Sequence, residues 1–217
     1  MSSQSLRRPS EILDQSPMRG RQWLVVIICI LAMALDGYDV MSISLAGAGI
    51  TQEWGLTKAE LGFLLPLEFI GMAIGLIFIG TLTDLYGRRM VFLLCLIIIT
   101  LGMAGSGYAF NMETLAASRV FTGLGIGGMM ASATALSSEY SNTKNRSLTV
   151  IMVAGGYTFG IYLASQFSGM LLEGGDWRAI FTFGAWISFA FIPVVVFLVP
   201  ESIGFLERRR PDGFAEK

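Results

Sequence analysis

The chain has 217 residues, of which 53% are hydrophobic and only 14% are charged, and its formal net charge is −1. A soluble domain would carry about 25% charged residues, so the composition excludes an ordinary water-soluble protein and gives no sign of nucleic-acid binding. The sequence has no His, and its two Cys form no CxxC pair, so neither a metal nor another cofactor is expected.

Six apolar segments follow one another along the chain, separated by short polar breaks. Each is close to the roughly 20 residues that a helix needs to cross about 30 Å of hydrocarbon, and none alternates as a transmembrane strand would. We therefore predict an all-α polytopic protein embedded in the lipid bilayer, with a six-helix bundle over residues 23–200. The predicted spans are 24–48, 59–81, 90–108, 114–137, 148–172 and 179–199.

The charges of the loops predict the orientation of these spans. Twelve of the 15 Lys and Arg lie in the tail 1–22, in the second and fourth loops, and in the tail 201–217. The alternate loops carry only Lys58 and Arg178. Because cytoplasmic loops hold an excess of basic residues, both tails are predicted to be cytoplasmic.

The first apolar segment contains two carboxylates, Asp36 and Asp39, in the stretch "CILAMALDGYDVMSIS". A charge at the bilayer centre costs about 2.5–3.5 kcal/mol on insertion scales, and such residues usually mark a transport pathway or an ion pair. Residues three apart on a helix are separated by about 60° around its axis, so both carboxylates project to one side. That side is predicted to face the bundle interior.

Two further charges lie within apolar segments, Glu68 in the second and Arg119 in the fourth. The rise of a helix puts Asp39 and Glu68 each about 14 Å from the outer ends of their spans, so a cluster with Arg119 is expected. Crowded carboxylates raise one another's pKa, which suits proton uptake and release, while Arg119 can pair with a carboxylate or with an anionic substrate. A buried ion pair with no role in transport is the alternative.

Glycines recur at the small-xxx-small spacing that lets helix backbones approach closely in lipid. The pairs are Gly71 and Gly75, Gly123 and Gly127, and Gly156 and Gly160. The stretch "GLGIGG" also fits a dinucleotide-binding pattern. It has no preceding strand and no acidic residue at the required distance, so we interpret it as helix packing.

The second loop reads "GTLTDLYGRRM" and resembles the signature between helices 2 and 3 of the major facilitator superfamily. Three further elements occur in the order expected for one half of that fold: "RVFTGLGIGG", "SSEYSNTKNRS" and the final "PESIGFL". The resemblance implies a transporter whose loop residues form a cytoplasmic gating motif. Those residues are Gly80, Asp84, Gly87, Arg88 and Arg89.

The "DGYD" element of the first segment, followed by "EWGL", resembles the aromatic acid:proton symporter branch of the superfamily. The resemblance implicates Asp36 and Asp39 in proton-coupled transport of small aromatic carboxylates such as hydroxybenzoates and benzoate. It also implies a multi-pass protein of the bacterial cytoplasmic membrane, with protons and the aromatic acid as partners.

Transporters of this superfamily have twelve helices, whereas this sequence contains six, so it is expected to be the N-terminal half. The substrate site of such folds lies between two halves, and a second six-helix half or another copy is therefore an expected partner. A half-transporter for sugars or other metabolites, and a truncated six-helix protein without transport activity, are the alternatives. An enzyme is not expected, because the sequence has neither His nor a GxSxG motif.

Overall fold

The structure is a computed structural model and describes residues 17–172 and 174–202, except for the side chain of Asp84. Every regular element in this part of the chain is a helix. Six helical spans within these residues are long and apolar enough to cross a membrane, which confirms the all-helical prediction. The helices are α1 Gly20–Trp54, α2 Lys58–Leu64, α3 Leu67–Tyr86, α4 Arg88–Gly107, α5 Met112–Tyr140, α6 Arg146–Leu172 and α7 Arg178–Leu198. The predicted tails 1–22 and 201–217 lie largely outside the described residues.

The second span is made of two helices, α2 and α3, although its apolar sequence is continuous. Pro66 stands between them and acts as the N-cap of α3; it has no backbone N–H to continue the hydrogen bonds of α2. At the start of α2, Thr57 and Glu60 form a capping box. Glu68 consequently lies in the first turn of α3.

The helices pack in pairs around two central members, α1 and α5. Helix α3 packs along α5, α6 packs along α1, and α4 contacts both α5 and α7. Helices α1 and α5 also touch each other and carry the most buried polar residues. The charged residues of the apolar segments therefore meet where these two helices cross the bundle.

Helices α3 and α6 each present a wide face of large apolar side chains on the outside of the bundle. The exposed residues of α3 include Ile77 and Phe78, and those of α6 include Ile151 and Met170. In water such a surface would be an aggregation site. In a membrane it can contact lipid or another helical protein.

Candidate functional site

Arg119 lies at the centre of the bundle with its side chain fully buried. Its Nη1 is 2.9 Å from Oδ1 of Asp39, whose side chain is also fully buried. The arginine comes from α5 and the aspartate from α1, the two central helices. The sequence-predicted acid and base are therefore joined by an ion pair inside the membrane-spanning bundle.

The remaining N–H groups of Arg119 are held by hydroxyl groups. Nε and Nη2 donate to Oγ of Ser106 at 3.1 and 2.8 Å, and Nη2 also donates to Oγ1 of Thr122 at 3.2 Å. The ring of Phe181 covers the guanidinium carbon at 4.9 Å. A buried guanidinium is tolerated when its donors are satisfied in this way.

Two more carboxyl groups belong to the same cluster. Oε2 of Glu68 lies 3.5 Å from Nη1 of Arg119, and Glu68 is 1% exposed. Asp36 is also 1% exposed. Four oxygens of the cluster have no hydrogen-bond partner within the described ranges: both of Asp36, Oδ2 of Asp39 and Oε1 of Glu68. Two carboxyl groups thus share one guanidinium and a third lies within electrostatic range of them, an arrangement that can take up and release protons.

Close contacts between helix backbones bring these side chains together. A Cβ atom at Gly37, between the two aspartates, would collide with the carbonyl oxygen of Tyr157 on α6. A Cβ atom at Gly123 would collide with the carbonyl oxygen of Glu68 on α3. Only a residue without a side chain permits these approaches. The glycines therefore fix the lateral position of the acids relative to Arg119.

The six glycines predicted to pack helices all lie against a neighbouring backbone. In α3, Gly71 and Gly75 face the carbonyl oxygens of Val120 and Leu124 on α5. The paired glycines of α5 and of α6 face α3 and α1, respectively. Their contacts are Gly123 with Glu68, Gly127 with Met72, Gly156 with Ile30, and Gly160 with Ala34.

Two hydrogen-bond acceptors of Arg119, Ser106 and Thr122, were not predicted from the sequence. Thr122 lies three residues after Arg119 and so on the same helix face, which is a signal that the sequence did contain. Ser106 is on α4, and nothing in its local sequence separates it from other serines of the apolar segments. Its role depends on how α4 packs against α5, which only the three-dimensional structure provides.

A second charged cluster lies at the end of the bundle where both described chain ends are found. Nη2 of Arg88 is 2.8 Å from Oε1 of Glu139 at the end of α5. The backbone N–H of Arg89 donates to Oε1 of Glu201 at 3.2 Å, and Nη2 of Arg89 donates to the carbonyl of Val196 at 2.5 Å. We call Arg88, Arg89, Glu139 and Glu201 the termini-side cluster.

Gly87 allows this cluster to form. Its φ of 96° is in a region that side chains rarely adopt, and a Cβ atom there would lie 3.0 Å from Oε1 of Glu201. Gly80, seven residues before Gly87, has only the methyl group of Ala131 near a Cβ position. Asp84 is part of α3, but its side chain lies outside what the structure describes.

Glu139 and Glu201 were not singled out from the sequence, although both fall within quoted motifs, "SSEY" and "PES". Tyr140 also links these two segments, because its hydroxyl donates to the carbonyl of Glu201 at 2.9 Å. The carbonyl of Tyr140 accepts from Nε2 of Gln22 at 2.8 Å. The starts of α1 and α4 and the ends of α5 and α7 are thereby tied together.

The opposite end of the bundle has a separate network. Oε2 of Glu53 accepts hydrogen bonds from Nε1 of Trp177 at 2.7 Å and from Nη1 of Arg178 at 2.6 Å. Nη2 of Arg178 also donates to the carbonyl of Ala109 at 3.0 Å. The end of α1 is thereby joined to the start of α7. Within 17–172 and 174–202, no group of three or more His, Cys, Asp or Glu is arranged to hold a metal.

Comparison with known proteins shows the family to which the chain belongs. The sequence profile of the Major Facilitator Superfamily matches residues 26–214. The 4-hydroxybenzoate transporter PcaK of Acinetobacter baylyi is 30% identical over 90% of this chain and 43% of its own length. The gallate transporter of Pseudomonas putida is 31% identical over 91% of this chain and 44% of its own length. The chain thus spans less than half the length of these relatives.

Solved structures share the fold at lower identity. The proton:xylose symporter XylE bound to 6-bromo-6-deoxy-D-glucose has a TM-score of 0.82 and 19% identity, covering 92% of this chain and 49% of that one. An inward-facing bacterial homologue of the lysosomal transporter Spinster has a TM-score of 0.80 and 20% identity, covering 86% and 44%. At such identity the likeness concerns the fold alone.

Proposed function

The chain belongs to the Major Facilitator Superfamily, and we propose that it is the N-terminal six-helix half of a proton-coupled symporter for aromatic carboxylates in a bacterial cytoplasmic membrane. The observation that carries the proposal is the fully buried ion pair between Asp39 and Arg119, with Glu68 and Asp36 beside it. Ionisable residues at this depth are costly to insert and usually mark a proton or substrate pathway.

The relatives support an aromatic carboxylate as the substrate. Those at about 30% identity are named as transporters of 4-hydroxybenzoate and of gallate, and a benzoate transport protein is 28% identical. All three compounds combine an aromatic ring with a carboxylate. The xylose symporter shares only the fold, so a sugar substrate has weaker support.

The hydrogen bonds of Arg119 suggest how substrate and proton are coupled. Its five N–H groups face Asp39, Glu68, Ser106 and Thr122. A substrate carboxylate can therefore pair with Arg119 only by displacing one of these groups, and an acid of the protein is the group that competes with it as an anion. Protonation of that acid removes its charge and releases the N–H group, so proton uptake favours binding of the anion.

The termini-side cluster supports a gating role for the second loop. Arg88 and Arg89 bind acids at the ends of α5 and α7, so they hold three helix ends together at one face. In alternating access, one face opens while the other closes around a central site. We assign the cluster to the closed state of the cytoplasmic face, as an extension of the Asp84, Arg88 and Arg89 gate expected from the sequence.

A second half completes the proposed transporter. The broad apolar faces of α3 and α6 are exposed in this chain, and the substrate site of repeat-built transporters lies where two halves meet. A second six-helix segment packing near these faces would enclose the cluster around Arg119. Sequencing the gene beyond codon 217 tests whether such a segment is encoded.

Uptake measurements test the transport proposal. They require the twelve-helix form, by which we mean this chain together with a second six-helix half. Proteoliposomes with an imposed pH gradient should accumulate labelled 4-hydroxybenzoate, and Asp36→Asn or Asp39→Asn should each abolish this uptake, because the amide keeps the size of the side chain but does not titrate. Glu60→Gln is the matched control, since Glu60 is exposed and a glutamine can keep its capping role.

Three results would contradict parts of the proposal. Gradient-driven uptake close to wild type in the Asp36→Asn, Asp39→Asn double variant would exclude these acids from coupling. Accumulation of xylose in place of aromatic acids would assign the half-transporter to sugars. Absence of any uptake by the well-inserted twelve-helix form would favour the six-helix protein without transport activity.

A further inference from the structure

Nη1 of Arg119 faces two acids from different helices. Asp39 of α1 lies 2.9 Å from it and Glu68 of α3 lies 3.5 Å from it. Both acids are buried, and each retains one oxygen without a hydrogen-bond partner in the part of the chain that the structure describes. The other edge of the guanidinium is occupied by Ser106 and Thr122. The Nη1 edge of the guanidinium therefore faces two carboxyl groups.

The position of Glu68 follows from how α3 meets α5. Pro66 starts α3 two residues earlier, and Gly123 and Gly71 let the two backbones touch beside Arg119. The neighbours Phe69 and Ile70 point outward and are each 53% exposed, whereas Glu68 is 1% exposed. A carboxylate is thus the side chain that α3 directs into the centre of the bundle at this level.

The charges do not balance if both acids are ionised. One guanidinium neutralises one carboxylate, and Asp36 adds a third acid within electrostatic range of Glu68. The other titratable groups within electrostatic range of these acids are Tyr38 of α1, Cys95 of α4 and Tyr157 of α6. Asp39 and Glu68 lie 2.9 and 3.5 Å from the same nitrogen, and two carboxyl groups held against one cation in a medium of low dielectric constant hold one proton in common rather than both ionise.

On the premise that transport is coupled to protons, as proposed above, we propose that Asp39 and Glu68 are alternative partners of Arg119. When Asp39 is ionised and paired with Nη1, Glu68 carries the proton. When the proton moves from the carboxyl group of Glu68 to that of Asp39, Nη1 shifts its hydrogen bond to the carboxylate of Glu68. Glu68 is therefore a proton-holding residue of α3, and the exchange changes which helix is bound to α5.

Infrared spectroscopy of the purified chain in lipid nanodiscs tests this exchange without requiring transport. At neutral pH, the carbonyl stretch of a protonated carboxylic acid is resolved from that of carboxylates. We expect Glu68→Gln to lower the carboxylic acid signal by one group per chain. Asp39→Asn should lower it by the same amount, because Glu68 then ionises and pairs with Arg119. Glu60→Gln should leave the signal unchanged.

The Asp39→Asn variant separates the proposal from its alternatives. A signal unchanged by both substitutions would mean that both acids are permanently ionised, and would overturn the proposal. A signal lowered by Glu68→Gln but not by Asp39→Asn would mean that Glu68 is protonated independently of Asp39, and would also overturn it. Because Asp36 lies within electrostatic range of both acids, Asp36→Asn is introduced into every chain that is compared, so that Asp36 contributes to none of the spectra.

Carboxyl-13C labelling of glutamate provides a measurement that does not depend on the folding of the Glu68 variant. In the labelled wild-type chain, the carboxylic acid band of Glu68 should shift to lower frequency, and this shifted band should disappear in Asp39→Asn. If the shifted band is absent from the wild type, the proposal is wrong. Absence of uptake by the twelve-helix form with these spectra as expected would instead contradict only the transport proposal.

Discussion

Ser106 receives hydrogen bonds from two nitrogens of Arg119, and its own hydroxyl donates to the carbonyl of Gly102 at 2.9 Å. It is fully buried on α4, whereas the arginine is on α5. A buried charged donor that loses its acceptor incurs its desolvation cost without compensation. The stability of the buried guanidinium therefore depends on the hydroxyl group of Ser106 as well as on the carboxylates.

Ser106→Ala is expected to destabilise the chain, because it leaves two guanidinium nitrogens short of an acceptor. A cost of about 1–3 kcal/mol is typical for an unsatisfied buried group. The matched control is Ser188→Ala: Ser188 is also buried, but its hydroxyl has no hydrogen-bond partner among the described residues. Thermal unfolding in detergent should show a lower midpoint for Ser106→Ala than for Ser188→Ala. Equal midpoints would contradict the role given to Ser106.

At the scale of helices, the contact between α1 and α6 depends on backbone approach. A Cβ atom at Gly160 would collide with the carbonyl oxygen of Ala34, and one at Gly156 would lie 2.5 Å from the carbonyl oxygen of Ile30. Gly155, adjacent to this seam, would place its Cβ atom in open space. Without a strong hydrophobic force between helices in lipid, such close packing is a main source of association.

Gly160→Ala should therefore lower stability, by about 1–3 kcal/mol if the helices separate to accommodate the methyl group. Gly155→Ala should be neutral or slightly stabilising, because alanine has a higher helix propensity than glycine by up to about 1 kcal/mol. The free energy of unfolding of both variants, measured in mixed micelles, gives the difference in stability between them. A cost for Gly155→Ala equal to that for Gly160→Ala would show that backbone proximity at Gly160 is not the cause.

Some of this organisation could be predicted from the sequence and some could not. Hydropathy identifies the six spans, because lipid requires about 20 apolar residues in each helix. The break at Pro66 was not predicted, since the segment remains apolar on both sides of it. The equal depth estimated for Asp39 and Glu68 follows from helix rise alone. Their shared contact with Arg119 depends on how three helices pack side by side, and the spacing of residues along the sequence gives no information about that packing.

At the scale of the whole molecule, the two ends of the bundle are closed by different contacts. The termini-side cluster joins the start of α4 to α5 and to the residues after α7, whereas Glu53 and Arg178 join α1 to α7 at the other end. Glu139 and Glu113 both lie on α5, one at each end of the helix. Glu113 is exposed, so the two glutamates form a matched pair for testing the proposed gate.

In the twelve-helix form, Glu139→Gln should slow uptake of the aromatic acid by more than it lowers the amount of protein in the membrane. The charge of Arg88 would lose the carboxylate that lies 2.8 Å from it, and the closed cytoplasmic face would be destabilised. Glu113→Gln should change neither quantity. Initial uptake rates normalised to immunoblot signal provide the measurement. A parallel loss of rate and protein for Glu139→Gln would leave the cluster with a structural role only.

The orientation of the bundle can be tested at two exposed loop positions. The excess of basic residues at the termini side predicts that Thr143 faces the cytoplasm, and Gly174, at the other end, then faces the outside. The native Cys29 and Cys95 are fully buried, so they should react little with an impermeant thiol reagent. In intact cells with a permeabilised outer membrane, Gly174→Cys should be labelled at once and Thr143→Cys only after lysis. Labelling of Thr143→Cys before lysis, with Gly174→Cys protected, would reverse the topology and move the proposed gate to the outer face.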